Sequence, residues 1–275
     1  MREELIMRIR ILILTILLSL FSSVTSADSF ENSIEVYSTG QHTKILELLY
    51  PIAEEGNVIA QGLLGQMYFR GDRAPQDYSK AAKWFRLAAE QGDAYSQGKL
   101  GGMYDVGLGV TKDSKESIKW LRLAAEQGEI SAQTVLGMSY LYGNGVSQDY
   151  QEAIKWHRLA AEQGGTISQN TLGSAYLHGV GVTQDYQEAA KWYRLAAEQG
   201  DAFSQYNLGL LYLNGQGITQ DYIRAYMWFD LVANKGHINA REDRAWIATE
   251  MTVSQIINAQ EMARSCERKS FKSCK

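Results

Sequence analysis

The chain has 275 residues, of which 45% are hydrophobic, 27 are Lys or Arg and 31 are Asp or Glu, so its formal net charge is −4 at pH 7. This weakly acidic balance excludes the basic face of a nucleic-acid-binding protein, and we expect no nucleic-acid partner. With 2 Pro residues and no low-complexity linker, a chain of this length is able to bury a continuous core.

Residues 1–27 have the pattern of a secretory signal peptide. Arg2, Arg8 and Arg10 precede the apolar run ILILTILLSLF, and the small residues of TSA end at Ala27. We predict cleavage after Ala27, a periplasmic or secreted protein, and no stable membrane insertion after cleavage. The alternative is an uncleaved anchor, although the run is shorter than the ~20 residues that a membrane span needs.

Residues 28–56 are predicted to form a divergent N-terminal helix pair. Pro51 lies in the second of these helices. Because Pro lacks a backbone N–H and its ring clashes with the preceding turn, we expect a kink or break near Tyr50.

Residues 57–236 repeat with a step of 36 residues, as the Trp residues show (120 − 84 = 36). The step gives five nearly complete copies, which is typical of an array of stacked units. The Trp positions are Trp84, Trp120, Trp156, Trp192 and Trp228.

Each copy is predicted to contain two amphipathic helices. In the first helix, Ala60, Leu64 and Tyr68 lie on one stripe, and the second helix has a similar stripe around its Trp. The turn between them ends in an Asp suited to cap the second helix. Asp149 with Glu152 resembles a capping box, as do the same pairs in two other copies.

A glycine recurs in the middle of each first helix, at Gly65 and its four counterparts. Glycine costs about 1 kcal/mol relative to Ala in a helix interior. We therefore expect a close approach at this point, with the Trp of the second helix as the side chain that fills the space.

The repeated pattern A/S-Q-x-x-L-G-x-x-Y, G-x-G-V-x-x-D-Y and A-x-K-W-[YF]-R-L-A-A-E-Q-G resembles the Sel-1-like repeat family, a relative of the tetratricopeptide repeat. The resemblance implies an all-α fold, a right-handed α-solenoid of stacked helix pairs that forms a tetratricopeptide-like superhelix. It also implies that the chain acts as an adaptor or scaffold for other proteins.

Residues 237–275 are predicted to be C-terminal capping helices and a tail. One helix is expected to start at Thr252, with Gln255 three residues on, and to end near Ala263. Cys266 and Cys274 are the chain's 2 cysteines, and in an exported protein they favour a disulfide. The alternative is two free thiols.

No HExxH, GxSxG, P-loop or CxxC motif occurs in the sequence. We therefore expect no catalytic residue, no metal site and no cofactor. His157 shares its repeat position with Phe, Leu and Tyr, which indicates packing, and Glu90 and its counterparts indicate solvated or inter-repeat pairs. Cysteine-rich Helicobacter relatives bind or hydrolyse β-lactams, but they carry a Cys pair in each repeat and the five repeats here carry none.

Function is expected to reside in the positions that vary between copies on the face opposite the buried stripe of the first helix. In tetratricopeptide relatives these positions line the concave surface, so we predict a protein or peptide partner there. The alternative is that the leucines of this face pack against the next copy and leave no groove. The predicted partner-binding residues are Arg70, Met138, Leu141, Tyr142, Asn170, Leu177, His178, Tyr206, Leu210 and Leu213.

The sequence thus predicts a non-catalytic protein-interaction scaffold of the bacterial cell envelope. Two alternatives stay open: a secreted enzyme or ligand-binding protein that acts on β-lactam or cell-wall-like molecules, and a secreted factor that engages host proteins.

Cleavage after Ala27 predicts that the exported protein begins at Asp28. Intact mass spectrometry of that protein checks this directly. A mass that retains Met1, or Met7 if translation starts there, would contradict the prediction.

Overall fold

The computed structural model describes residues 42–72, 74–272 and 274. The predicted signal peptide and the first part of the divergent N-terminal pair lie outside these residues. The described part of the chain contains thirteen α-helices and no β-strand. The predicted all-α fold class is confirmed.

The helices fall into two compact units, residues 1–120 and 121–275, and one helix contains the boundary. In chain order they are α1 (His42–Glu54), α2 (Val58–Arg70), α3 (Tyr78–Glu90), α4 (Ala94–Val106), α5 (Ser114–Glu126), α6 (Ile130–Tyr142), α7 (Tyr150–Glu162), α8 (Thr166–His178), α9 (Tyr186–Ala197), α10 (Ala202–Asn214), α11 (Tyr222–Ala233), α12 (Ile238–Thr249) and α13 (Val253–Arg268).

Each unit is built from helix pairs that stack in chain order. In the first unit, α2 packs against α3, and α3 packs against α4. In the second unit, the pairs α6 with α7, α8 with α9 and α10 with α11 follow one another, and the second helix of one pair contacts the first helix of the next. This is the solenoid of helix pairs that the 36-residue period predicts.

Asp side chains cap several of the helices, as the sequence predicts. Asp149 accepts hydrogen bonds from the backbone N–H groups of Gln151 and Glu152, at 2.9 and 3.1 Å. A capping box would also have the Glu152 side chain accept a hydrogen bond from the backbone N–H of Asp149. The Glu152 carboxylate instead forms an ion pair with Lys155 at 3.1 Å. The aspartate therefore satisfies the free N–H groups of the first turn without help from the glutamate.

The mid-helix glycines admit a ring from the second helix, but the ring is not the Trp that we predicted. A Cβ atom on Gly65 would lie 2.6 Å from Cδ1 of Phe85, the residue after Trp84. In three other pairs the same contact joins Gly173 to Tyr193, Gly209 to Phe229 and Gly137 to His157.

The Trp is displaced from this contact because consecutive helical residues lie about 100° apart. Phe85 faces the first helix of its own pair, and Trp84 is directed toward α1, the helix before that pair. Its ring contacts Tyr50 of α1 edge-on, with the ring centroids 5.6 Å apart. Trp192 likewise clusters with Ile154 of the preceding pair. The Trp thus joins successive pairs, and the neighbouring ring closes each pair.

A ladder of glutamines, in which buried and exposed side chains alternate, also connects successive helix pairs. Gln163 Nε2 donates to Gln133 Oε1 at 2.9 Å, and Gln133 Nε2 donates to the carbonyl of Ala125 at 3.1 Å. The ladder ends at Gln205, whose Oε1 is buried without a partner among the described residues. Position 235, where the next ladder residue would stand, is Lys235.

The repeated arginines connect neighbouring repeats through tyrosine hydroxyls. Arg122 donates to the hydroxyl of Tyr140 at 2.7 Å, and Arg194 donates to that of Tyr212 at 3.0 Å. Each bond joins a second helix to the first helix of the next repeat. Glu90, Glu126 and Glu162, for which a solvated or inter-repeat pairing role was expected, are exposed.

Of the kink or break predicted near Tyr50, the break is wrong. Helix α1 continues through Pro51 to Glu54. The Pro51 carbonyl still accepts a hydrogen bond from Glu55 N at 3.0 Å, and the adjacent side chains of Leu49 and Ile52 are buried in the core of the first unit. Packing on both sides of the proline therefore offsets the one hydrogen bond that it cannot donate.

The C-terminal end is closed by α12, α13 and a disulfide. Thr252 and Gln255 form the predicted capping box, and α13 runs to Arg268, five residues beyond the predicted end at Ala263. Cys266 and Cys274 are bonded to each other. The loop that they close places Phe271 beneath Lys235, whose Nζ lies 4.4 Å from the ring centroid.

Substitution of Gly65 tests the contact between glycine and ring. We expect Gly65→Ala to lower the free energy of unfolding by about 1–3 kcal/mol, because the methyl group overlaps the Phe85 ring. Gly102→Ala is the matched control: it is also in a first helix, nothing lies within 4 Å of its Cβ position, and it should gain up to about 1 kcal/mol. Urea unfolding of both variants is the measurement, and equal effects would contradict the contact.

His157 takes the ring position of its pair and is completely buried. Its Nδ1 lies 3.1 Å from Ser168 Oγ, and its Nε2 has no partner among the described residues. Burial lowers the pKa of His157 to about 4, from 6.5 when it is exposed. The packing role expected from the sequence is confirmed, and the ring is neutral at pH 7.

This burial predicts acid sensitivity. Between pH 6.5 and pH 4 the unfolded chain binds a proton at His157 that the folded chain does not, so stability falls as the pH falls. We expect the loss to be on the order of 3 kcal/mol and to be absent in His157→Phe, where Ser168 keeps its bond to Thr134. Urea unfolding at pH 7, 5.5 and 4 measures it. The exposed His178→Gln variant is the control, and a profile unchanged in His157→Phe would refute the assignment.

Candidate functional site

Three first helices of the second unit, α6, α8 and α10, are depleted of charged side chains. The sequences ISAQTVLGMSYLY, TISQNTLGSAYLH and AFSQYNLGLLYLN of α6, α8 and α10 contain no Asp, Glu, Lys or Arg. The second helices carry the charges, for example the pair of Lys155 and Glu152. Charge depletion of this kind is typical of the centre of a protein interface.

A groove of about 610 Å³ lies on this face, and it brings together residues from α6, α7, α8 and the start of α10. Four of the predicted partner-binding residues line it: Met138, Leu141, Tyr142 and Asn170. Tyr142 is 63% exposed, although it is a large aromatic residue. The groove therefore leaves uncovered a side chain that ordinary folding would bury.

Three further exposed residues of the groove were missed by the sequence analysis. Ile167 is 63% exposed, Phe203 is 51% exposed and Tyr150 is 44% exposed, and all three line the groove. The sequence could have predicted Ile167, because it lies three residues before Asn170 and therefore on the same side of α8. Phe203 occupies the same repeat position one copy later (203 − 167 = 36).

The polar centre of the groove joins two neighbouring repeats. Asn170 Nδ2 donates to Asp201 Oδ1 at 2.7 Å and to Ser204 Oγ at 3.1 Å. Asp201 Oδ1 also accepts from the backbone N–H of Ser204, at 2.7 Å, and so caps α10. The carboxylate is thus fixed in position at the wall of the groove by bonds to both helices.

The predicted leucines are neither free nor fully covered. Leu177, Leu210 and Leu213 are partly buried and pack against the core of the second unit. Complete burial of both Tyr142 and Leu177 would have made this strip part of the core, and Tyr142 is exposed. These three leucines do not line the groove, which is formed by other residues.

The remaining predicted site residues lie in three different settings. His178 is exposed at the end of α8, and Arg70 is exposed at the end of α2 in the first unit. Tyr206 is half-buried, its hydroxyl donates to Asp243 Oδ2 at 2.8 Å, and its ring centroid lies 4.7 Å from that of His237. Burial, reinforced by this bond, raises the pKa of Tyr206 to about 12. Its contacts join α10 to α12.

The described residues show neither a metal-binding cluster nor a membrane-spanning helix. They contain no group of three or more His, Cys, Asp or Glu side chains that could hold a metal ion. No helix among them is both long and apolar enough to cross a membrane.

The model of the Sel1 repeat matches the chain five times in succession, at residues 58–93, 94–129, 130–165, 166–201 and 202–237. The chain belongs to the Sel1 repeat family. The resemblance stated from the sequence is confirmed, and the groove lies across the third and fourth Sel1 repeats and the start of the fifth.

Two solved structures of Sel1 repeat proteins are similar to this chain. One is a protective antigen present in uropathogenic Escherichia coli strains, with 36% sequence identity and a TM-score of 0.79 over 88% of this chain. This chain spans 54% of the length of that antigen. The other is a Sel1 repeat protein from Oxalobacter formigenes, with 33% identity and a TM-score of 0.71, covering 86% of this chain and 99% of that one. No curated protein matches the chain.

Proposed function

We propose that this Sel1 repeat protein is a non-catalytic adaptor that holds a segment of another protein in the groove across α6, α8 and the start of α10. The observation that carries the proposal is the joint exposure of Tyr142, Ile167 and Phe203, on three helices that contain no Asp, Glu, Lys or Arg. Exposed apolar patches of this kind mark interaction sites. Sel1 repeat proteins are generally protein-interaction scaffolds, which supports the same conclusion.

The proposal places the adaptor outside the cytoplasm, in the periplasm or secreted. The bond between Cys266 and Cys274 supports this location, because disulfides persist in oxidising compartments. The signal-peptide pattern of residues 1–27 supports it independently.

A second candidate is a secreted factor that meets host proteins. Its support is the similarity to a protective antigen of uropathogenic Escherichia coli, of which this chain spans 54%. The same groove would serve, and the two candidates differ in whether the partner comes from the cell itself or from a host.

Site-directed photocrosslinking tests the adaptor function and its site together. We expect a photoreactive phenylalanine analogue at Tyr142, Ile167 or Phe203 to yield a discrete crosslinked protein in intact cells or in contact with host material. The matched controls are Leu123, Leu159 and Leu195, apolar residues of second helices that are 39–40% exposed. Circular dichroism verifies that every variant folds.

The result expected is a crosslink from the groove positions that the control positions do not give. Identical products from both sets would remove the groove as the site. Absence of any protein adduct from the groove positions, in cells and with host material, would contradict the adaptor function.

A further inference from the structure

Among the described residues that line the groove, Asp201 is the one with a formal charge. Its carboxylate is fixed by Asn170 and by the backbone of α10, and it stands beside apolar walls. Both N–H groups of the Asn170 amide are used in its bonds to Asp201 and Ser204, which leaves the amide oxygen as an acceptor. The polar centre of the groove therefore accepts hydrogen bonds and carries negative charge.

Aromatic rings are also part of the groove. Tyr142, Tyr150 and Phe203 line it, and the faces of such rings attract cations. The chain's net charge of −4 adds a field of the same sign as the carboxylate. Carboxylate, acceptor oxygen and aromatic faces together favour a positively charged group that carries several N–H donors.

The distance between the two ends of the groove can be calculated from the length of α8 between them. Asp201 lies beside Asn170 in the first half of this helix, and Tyr150 lies against Gly181, just after the helix ends at His178. At 1.5 Å per residue, the eight steps from Asn170 to His178 span about 12 Å. An extended polypeptide covers that distance in about four residues.

We propose that the groove takes a polypeptide segment with a Lys or Arg side chain bound at Asp201 and a large apolar side chain about four residues away, against Tyr142 and Tyr150. This inference rests on the proposed adaptor function and gives its partner a chemistry. The basic residue sets specificity, and the apolar residue fills the remaining space of the groove.

The charge of Asp201 can be removed without loss of its structural role. Asparagine caps helices as well as aspartate does, and Asn57 already caps α2 by accepting from Ala60 N at 2.9 Å. Asp201→Asn therefore preserves the cap of α10 while removing the negative charge. Asp93→Asn is the matched control, because Asp93 caps α4 in the same way, through Ser96 N at 2.8 Å, and does not line the groove.

The experiment is a selection of random 12-residue peptides displayed on phage, with the purified oxidised chain as target. We expect wild type and Asp93→Asn to enrich peptides that pair a Lys or Arg with a large apolar residue about four positions away. Asp201→Asn should lose this enrichment of basic residues. Circular dichroism of the three proteins verifies folding.

An enriched peptide is then synthesised, together with a form in which its basic residue is replaced by Gln. We expect Asp201→Asn to weaken binding of the basic peptide about fivefold, as for a solvent-accessible ion pair, and to leave the Gln peptide unaffected. The affinity of wild type for the basic peptide should fall as the salt concentration rises.

Two outcomes would overturn the inference, and they differ in what they say about the adaptor. Enriched peptides that lack basic residues but still lose binding in Ile167→Ser would refute the cation and leave the groove as a peptide site. Peptides that bind Ile167→Ser and wild type equally, or no enrichment at all, would overturn both the inference and the groove.

Discussion

The contact between a ring and a mid-helix glycine is the constraint on which the rest of the structure depends. In four of the pairs the second helix places a ring where the first helix has no side chain, as Phe85 does at Gly65 and Tyr193 does at Gly173. Because the two helices of a pair approach this closely, the side of each helix that is buried is fixed. The adjacent Trp is then left to face the preceding pair, and the opposite side of the first helix is left to solvent. The location of the groove is a consequence of this arrangement.

The same constraint explains why function is confined to a small part of the surface. The buried faces carry glutamine ladders, arginine–tyrosine bonds and rings that every repeat needs, so those positions have little freedom to vary. The exposed side of α6, α8 and α10 makes none of these three kinds of contact. Tyr142, Ile167 and Phe203 lie on that side. His157 stands where other repeats have Phe or Tyr, and it shows the effect of a change at a buried position. The fold is kept, and the free energy of unfolding becomes dependent on pH.

The sequence predicted the helix pairs, their capping aspartates and the family, because each of these depends on spacing along the chain. The sequence did not predict contacts that depend on which residues are neighbours in space. Trp84 and Phe85 are adjacent in sequence, and periodicity alone did not decide which of them meets Gly65. The bond between Asn170 and Asp201 joins residues of two repeats, and only stacking brings them together. Packing by buried neighbours carried α1 through Pro51, which a rule about single residues does not include.

The glutamine ladder bears on how proteins of this kind change in length. Each rung needs a partner at a fixed sequence distance, as Gln163 needs Gln133, so a duplication or deletion of 36 residues creates an interface in which every buried amide is already satisfied. A change of another length within a helix would move a rung out of register and leave its amide unpaired, as Gln205 Oε1 is left at the end of the array. Genetic events that add or remove whole repeats therefore preserve this hydrogen-bond pattern at every new interface.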